Sequence, residues 1–274
     1  MFLPAIEPSR KCIAYYTREG QWTLLASWSV FAAAEAHDLT GVPLRKIYLS
    51  AGGLQSDREA RLDNAGLRNI GLFPGWFADA GLTQTGFAML DDTAVPPLSD
   101  ELEAFLRAGS RPVIFTPGSF MRGADAFFRE ALAACNALHL RAIFLTPYRD
   151  QVPQDLPPHA RHFKYAPLQR LAPRAAALAH HGGIGTLAQG LKAGIPQLVS
   201  PLFFDQPDNA AHLAALSVSA TLPPQFWQAD AVAEKLHALL HSATVKLSCA
   251  GAAARFAGDN AVGRTCDIIL SLAG

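Results

Sequence analysis

The chain lacks any excess of charge, is poor in cysteine and has no long apolar run, and each shortage removes a class of function. Its 23 acidic side chains balance 23 lysines and arginines. With no basic cluster besides, the composition argues against nucleic acid as a partner. The four cysteines, Cys12, Cys135, Cys249 and Cys266, are scattered. They offer neither a zinc motif nor a disulfide framework, which suits a reducing, cytoplasmic compartment. No apolar stretch reaches bilayer-spanning length. Residues 1–10 carry Pro4, Glu7 and Pro8 where a secretory leader would be apolar. Repeats, low-complexity tracts and heptads are absent. No Gly-x-Gly-x-x-Gly follows the first strand, and no acidic ribose ligand follows about twenty residues on, which argues against a dinucleotide-dependent dehydrogenase.

What is present is a chain of 274 residues, half of them hydrophobic, enough for a substantial core and two domains. Its densest information is His180-His181-Gly182-Gly183-Ile184-Gly185-Thr186. Ala175–Ala179 upstream reads as a strand buried on both faces, and Thr186–Ala193 downstream reads as a helix closed by Gly194 and stopped by Pro196. The glycines then fall at a helix N-terminus, where exposed amides and the dipole favour an anion such as a diphosphate. A plain Gly-Gly turn beside a core histidine is the competing reading at this point.

A second short strand, Gln197–Pro201, leads to Phe203-Phe204-Asp205-Gln206-Pro207. A carboxylate beside a carboxamide suits the alternating donors and acceptors of a sugar's hydroxyls. Asp205 as N-cap of the following helix, with Pro207 in its first turn, is compatible with the same residues.

Taken together, His181, Gly183, Gly185, Thr186, Pro201, Asp205, Gln206 and Asn209 resemble the carboxyl-terminal half of GT-B glycosyltransferases. The likeness is to the bacterial nucleotide-sugar-dependent group that includes sterol and macrolide glycosyltransferases. It implies an α/β fold with a Rossmann-type parallel sheet domain that binds the donor, and it covers residues 95–274. It also implies that His181, Gly182, Gly183, Gly185 and Thr186, with Gly118 and Ser119 after the strand Val113–Thr116, hold the donor diphosphate. Asp205 and Gln206 would hold the transferred sugar. Tyr165, Ala166, Leu168 and Gln189 would meet the nucleoside, with Gln189 standing where many relatives carry a ribose-binding Glu. Tyr165 stacked on a base or packed in the core, and Gly118 as a plain turn, both stay open on the residues alone. The expected reaction is inverting hexose transfer from a UDP- or TDP-linked donor to a hydroxyl of a lipid, sterol or natural product. No metal or other cofactor is expected.

Residues 1–94 look like part of an acceptor-side α/β domain, roughly half the usual size. Trp22–Ser27, a helix over Trp28–Leu39 and Leu44–Leu49 form an expected βαβ unit. Leu72–Phe77 resembles the approach to a linker at Asp91–Pro97. The acceptor hydroxyl needs a general base, and none is found; His37 lies within the predicted helix. Three alternatives follow: a donor-binding subunit completed by a separate acceptor subunit or by a homo-oligomer, an inactive nucleotide-binding remnant, or an epimerase of the same architecture. The Asp-Gln pair favours transfer over epimerisation.

Overall fold

The computed structural model describes residues 12–16, 22–26, 47–48, 70–79, 83–89, 95–119 and 121–271. By contacts the chain divides into one unit of residues 1–89 with 259–274 and another of residues 90–258. The sequence boundary at 94/95 had placed residues 259–274 with the second domain.

The larger unit is built on a six-stranded parallel sheet. Its strands are β6 (Val113–Thr116), β7 (Ala142–Leu145), β8 (Ala160–Phe163), β9 (Ala177–His180), β10 (Gln197–Val199) and β11 (Ser219–Thr221). They lie in the order β11-β10-β9-β6-β7-β8, the order of a dinucleotide-binding Rossmann sheet. Alternation explains how these short apolar runs bury both faces. Val113 and Phe115 point into one core with Phe128, Phe144, Trp227 and Leu236. Ile114, between them, points into the other with Leu102, Phe105, Ile143 and Leu178.

Helices cover both faces: α1 (Asp100–Arg107), α2 (Asp125–Ala137), α3 (Ile184–Ala193), α4 (Gln206–Ala215), α5 (Ala229–His241) and α6 (Ala243–Ala254). Local chemistry sets their ends. The Ser99 hydroxyl accepts from the Leu102 amide, and Asp100, Glu101 and Glu103 occupy the first turn of α1. Helix α3 stops at Gly194, whose φ of 66° is left-handed. The apolar face of α2 is core: Phe128, Ala131 and Cys135 are fully buried, and Phe127 stacks on Trp227 with centroids 4.5 Å apart. Burial pushes the Cys135 thiol up to about 12 and that of Cys249 to about 11, so both are inert packing groups. Among the described residues no helix is long and apolar enough to cross a membrane.

In the smaller unit β1 (Cys12–Tyr16) and β2 (Trp22–Ala26) pair antiparallel, while β3 (Ile47–Tyr48), β4 (Ile70–Gly71) and β5 (Thr83–Gln84) form a separate parallel sheet. The expected βαβ unit joining the strand at Trp22 to the one near Leu44 is therefore corrected. The strand at Trp22 takes the nearest partner in sequence, across a connection containing Gly20, a hairpin spacing. The predicted helix over Trp28–Leu39, with His37, lies outside the described residues. Phe73, Phe77 and Phe87 are buried here. The carboxyl-terminal helix α7 (Ala261–Ser271) joins this unit through Arg264 Nε, 3.1 Å from the Thr85 carbonyl, and the Thr265 hydroxyl, 2.8 Å from that of Thr85.

Phe128, whose ring meets Phe144 and Phe127 edge-on at 5.4 Å, is a pivot of the first core. Phe128→Ala should cost about 3–5 kcal/mol, read as a lower denaturation midpoint of the larger unit in chemical unfolding.

Candidate functional site

Strands β6 and β9 are neighbours, with Thr116 opposite His180. The chain turns away from the central sheet in opposite directions after them, and at such a switch point the loops diverge and leave a crevice. The loop after β6 carries Pro117, Gly118 and Ser119, and that after β9 carries His181 and Gly182.

His180 is the last residue of β9 and fully buried. Its Nδ1 accepts the Gly182 amide at 3.0 Å, and its Nε2 lies 2.8 Å from Gln197 Oε1. Gly182 has a φ of 94°, a conformation glycine adopts without strain. Its carbonyl accepts from Asn209 Nδ2 at 2.9 Å. This corrects the expectation that Gly182 lends its amide to a diphosphate, because that hydrogen is engaged by a buried imidazole.

The His181 ring lies between two glycines. A methyl on Gly183 would fall 2.5 Å from its Nε2, and one on Gly118 would fall 3.2 Å from its Cε1. Its Nδ1 is buried without a hydrogen-bond partner among the described residues. Burial holds the imidazole below its usual value, while the Asp205 carboxylate and the Thr116 main chain pull the other way. Beside the ring opens a cavity of about 160 Å³, lined by Pro117, Met121, Phe127, Leu202 and Trp227 among others.

Gly183 is the N-cap of α3 and supplies no side-chain cap. The Thr186 and Leu187 amides donate to its carbonyl, so Thr186 offers its hydroxyl. The preceding amides, of Ile184 and Gly185, are the ones a helix start leaves without an internal acceptor. Gly185 is exposed, and a methyl there would meet nothing within 4 Å. No packing requirement accounts for glycine in this first turn, where alanine would favour the helix by up to about 1 kcal/mol. Space for a close-approaching group does.

Asp205 and Gln206 behave differently from one another. Asp205 sits at the N-cap position of α4 but makes no side-chain cap bond. Its Oδ2 instead accepts from Asn209 Nδ2 at 2.8 Å. Gln206 is buried, and its Oε1 accepts the Leu202 and Phe203 amides at 2.8 and 3.3 Å. Of the carboxamide expected to help hold a sugar, the oxygen clasps the preceding loop and the amino group is left for that role. That loop holds Phe204 at a φ of 59° with 69% of its surface exposed.

Tyr165 is 73% exposed, which removes the core alternative for it. Ala166 is buried in the second core and Leu168 packs against it, so those two present main chain at most. Gln189 lies half-buried on α3, and Ser119 is exposed. The turn, the Gly118 loop and Asp205 are thus brought together. Sequence reasoning gave no role to Gln197 and only a motif place to Asn209. A glutamine inside an otherwise apolar strand is the signal that could have found the first.

This is the fold of the GT-B glycosyltransferases. Residues 139–265 match the family described as Erythromycin biosynthesis protein CIII-like, C-terminal domain. The chain is 41% identical over 145 residues to glycosyltransferase GtfC of Amycolatopsis orientalis, covering 53% of this chain and 35% of that protein. It is 34% identical over 142 residues to the O-mycaminosyltylonolide 6-deoxyallosyltransferase of Streptomyces fradiae, covering 51% and 32%. The chain thus spans about a third of the length of these curated relatives. Among solved structures, the glycotransferase of kitacinnamycin matches with a TM-score of 0.68 at 19% identity, over 86% of this chain and 72% of that one. Glycosyltransferase VinC, solved in complex with dTDP, matches with a TM-score of 0.61 at 20% identity, over 85% and 67%.

Gly185→Ala separates the fold from the site. Thermal stability should be unchanged or slightly raised, while affinity for UDP or TDP in a calorimetric titration should fall at least tenfold. Equal affinity would show that the open space beside Gly185 receives no ligand.

Proposed function

We propose that the chain binds a nucleoside-diphosphate sugar, UDP- or TDP-linked, across the switch point and serves inverting hexose transfer to an acceptor hydroxyl without a metal. The carrying observation is the His181 ring, held between Gly118 and Gly183 with a buried, unpartnered Nδ1, beside the open first turn of α3. In the reaction the acceptor oxygen attacks the anomeric carbon on the face opposite the diphosphate. The bond from that carbon to the phosphate oxygen breaks, and the nucleoside diphosphate leaves with the electron pair. The acceptor proton passes to a base, which is not assigned. Charge therefore accumulates on the diphosphate, where the α3 amides, His181 and the Thr186 hydroxyl would stabilise it. Ser119 and Gly118 would meet the distal phosphate from the facing loop, and Tyr165 would stack on the base. Asp205, engaged by Asn209 through one oxygen only, keeps the other for a sugar hydroxyl. The activities for which the relatives are named, transfer of a deoxyallosyl group in one, support this class of reaction and a natural-product acceptor.

A second reading has the chain as the donor-binding part of an enzyme whose acceptor side lies elsewhere, favoured by its span of about a third of its relatives. A transfer assay on the chain alone separates the two, since release of nucleoside diphosphate dependent on acceptor supports the complete enzyme.

Two binding experiments test the site. His181→Ala removes a charge-assisted contact worth about 1.5–3 kcal/mol, so UDP-glucose and TDP-glucose should bind 10- to 100-fold more weakly with little change in melting temperature. The pH dependence follows from the sign of the shift. Burial lowers the His181 pKa in the free protein, so the ring is neutral above the ordinary imidazole range, and an adjacent anion raises that pKa. Affinity for the sugar nucleotide should therefore rise as pH falls below about 6.5, and H181A should abolish the slope. Asp205→Ala should weaken the glucose conjugates more than the bare diphosphates, and an equal loss would reduce Asp205 to scaffold.

A further inference from the structure

Beneath the turn lies a run of hydrogen bonds that begins in the interior of the sheet. Gln197 on β10 and His180 on β9 are both fully buried. The Gln197 Nε2 donates to the Leu187 carbonyl on α3 at 3.2 Å, and Gln197 Oε1 faces His180 Nε2. Space for this carboxamide comes from Gly190 in mid-helix, where a methyl would fall 2.5 Å from Gln197 Cδ. From His180 the run continues through Gly182 to Asn209 and ends on Asp205.

The directions of these bonds follow from what each group can do. The Gly182 amide can only donate, so His180 Nδ1 carries no proton. Its single proton then sits on Nε2 and requires an acceptor, which Gln197 Oε1 supplies. The Gln197 amino group is left to donate to Leu187. At the other end, Asn209 uses one amino group for two acceptors, the Gly182 carbonyl and the Asp205 carboxylate, so the turn and the carboxylate share a donor. A second proton on His180 would set two donors against each other at Nδ1 and the Gly182 amide, and would push the turn off its left-handed conformation.

We propose that His180, Gln197 and Asn209 are positioning residues that set the diphosphate turn and the Asp205 carboxylate as one unit, and that this unit holds only while His180 is the neutral, Nε2-protonated imidazole. The proposal rests on the diphosphate reading of the turn. Burial, with the neighbouring His181 adding to it, drives His180 down to about 3, so the wild type keeps this tautomer across the physiological range. His181 is the one charged or titratable group acting on it among the described residues. Asp205 acts on His181, and the β10 partner Gln197 is uncharged.

Gln197→Glu tests this in the full chain, because a carboxylate at Nε2 favours the imidazolium. Affinities for UDP and TDP are measured for variant and wild type side by side at pH 9 and pH 6. The ratio of variant to wild-type Kd should grow at least tenfold between the two, whereas a defect in packing alone gives the same ratio at both. A pH-independent ratio overturns the proposal. Wild type that binds neither nucleotide overturns the diphosphate reading itself and this one with it. Should the variant fail to fold, nitrogen-15 spectra of the wild-type imidazoles decide. His180 should stay protonated on Nε2 alone from pH 5 to pH 9, and a δ-protonated or titrating ring there overturns the proposal.

Discussion

The amide of Gly182 has one partner, the Nδ1 of a histidine sealed inside the sheet, and the geometry at the mouth of the crevice depends on that bond. It holds the residue after His181 in a conformation that side chains avoid, and so sets where His181 points and where α3 begins. The carbonyl of the same glycine is held by Asn209, so the turn is fixed from both sides. Leaving either group unpaired would cost about 1–3 kcal/mol. Both main-chain groups at the centre of the turn are therefore fixed by the protein itself.

That prior placement is what anion recognition at a helix start requires. A loop that must be ordered on binding subtracts the entropy of ordering from its affinity, whereas this one is already placed. The two histidines divide the work through their surroundings. His180, wholly enclosed and bonded at both nitrogens, acts as a neutral fixture. His181, one residue on, keeps a buried nitrogen without a partner and lies within reach of the Asp205 charge. Adjacent residues of one type thus take opposite roles because one belongs to the sheet and the other to the crevice.

Much of the larger unit was legible in the sequence. Short apolar runs and the Gly194 stop each correspond to an observed element, because local patterning and cap chemistry report burial directly. The turn was legible too, since glycines between a strand and a helix have few structural readings. What misled was side-chain direction. Gln206 beside Asp205 reads as a matched pair, but one side chain turns inward to the Leu202 and Phe203 amides and the other does not. Gly182 looked like one more amide for a ligand until His180 claimed it. In the smaller unit the strand at Trp22 found its partner in Cys12–Tyr16, a pairing that period-two patterning could not rank above a parallel crossover.

By itself the sequence determined the fold class, the order of elements around the turn in the larger unit and the point where a strand yields to an anion-favouring helix start, since these depend on spacing and residue type over a dozen positions. Tertiary structure decided which groups at that point are engaged and which are open. Gln197, His180 and Asn209 lie far apart in the chain and meet because the strand order sets β9 between β6 and β10. Hydrogen-bond partners separated by that distance leave no periodic trace. Packing selects them, and packing exists only once the sheet has formed.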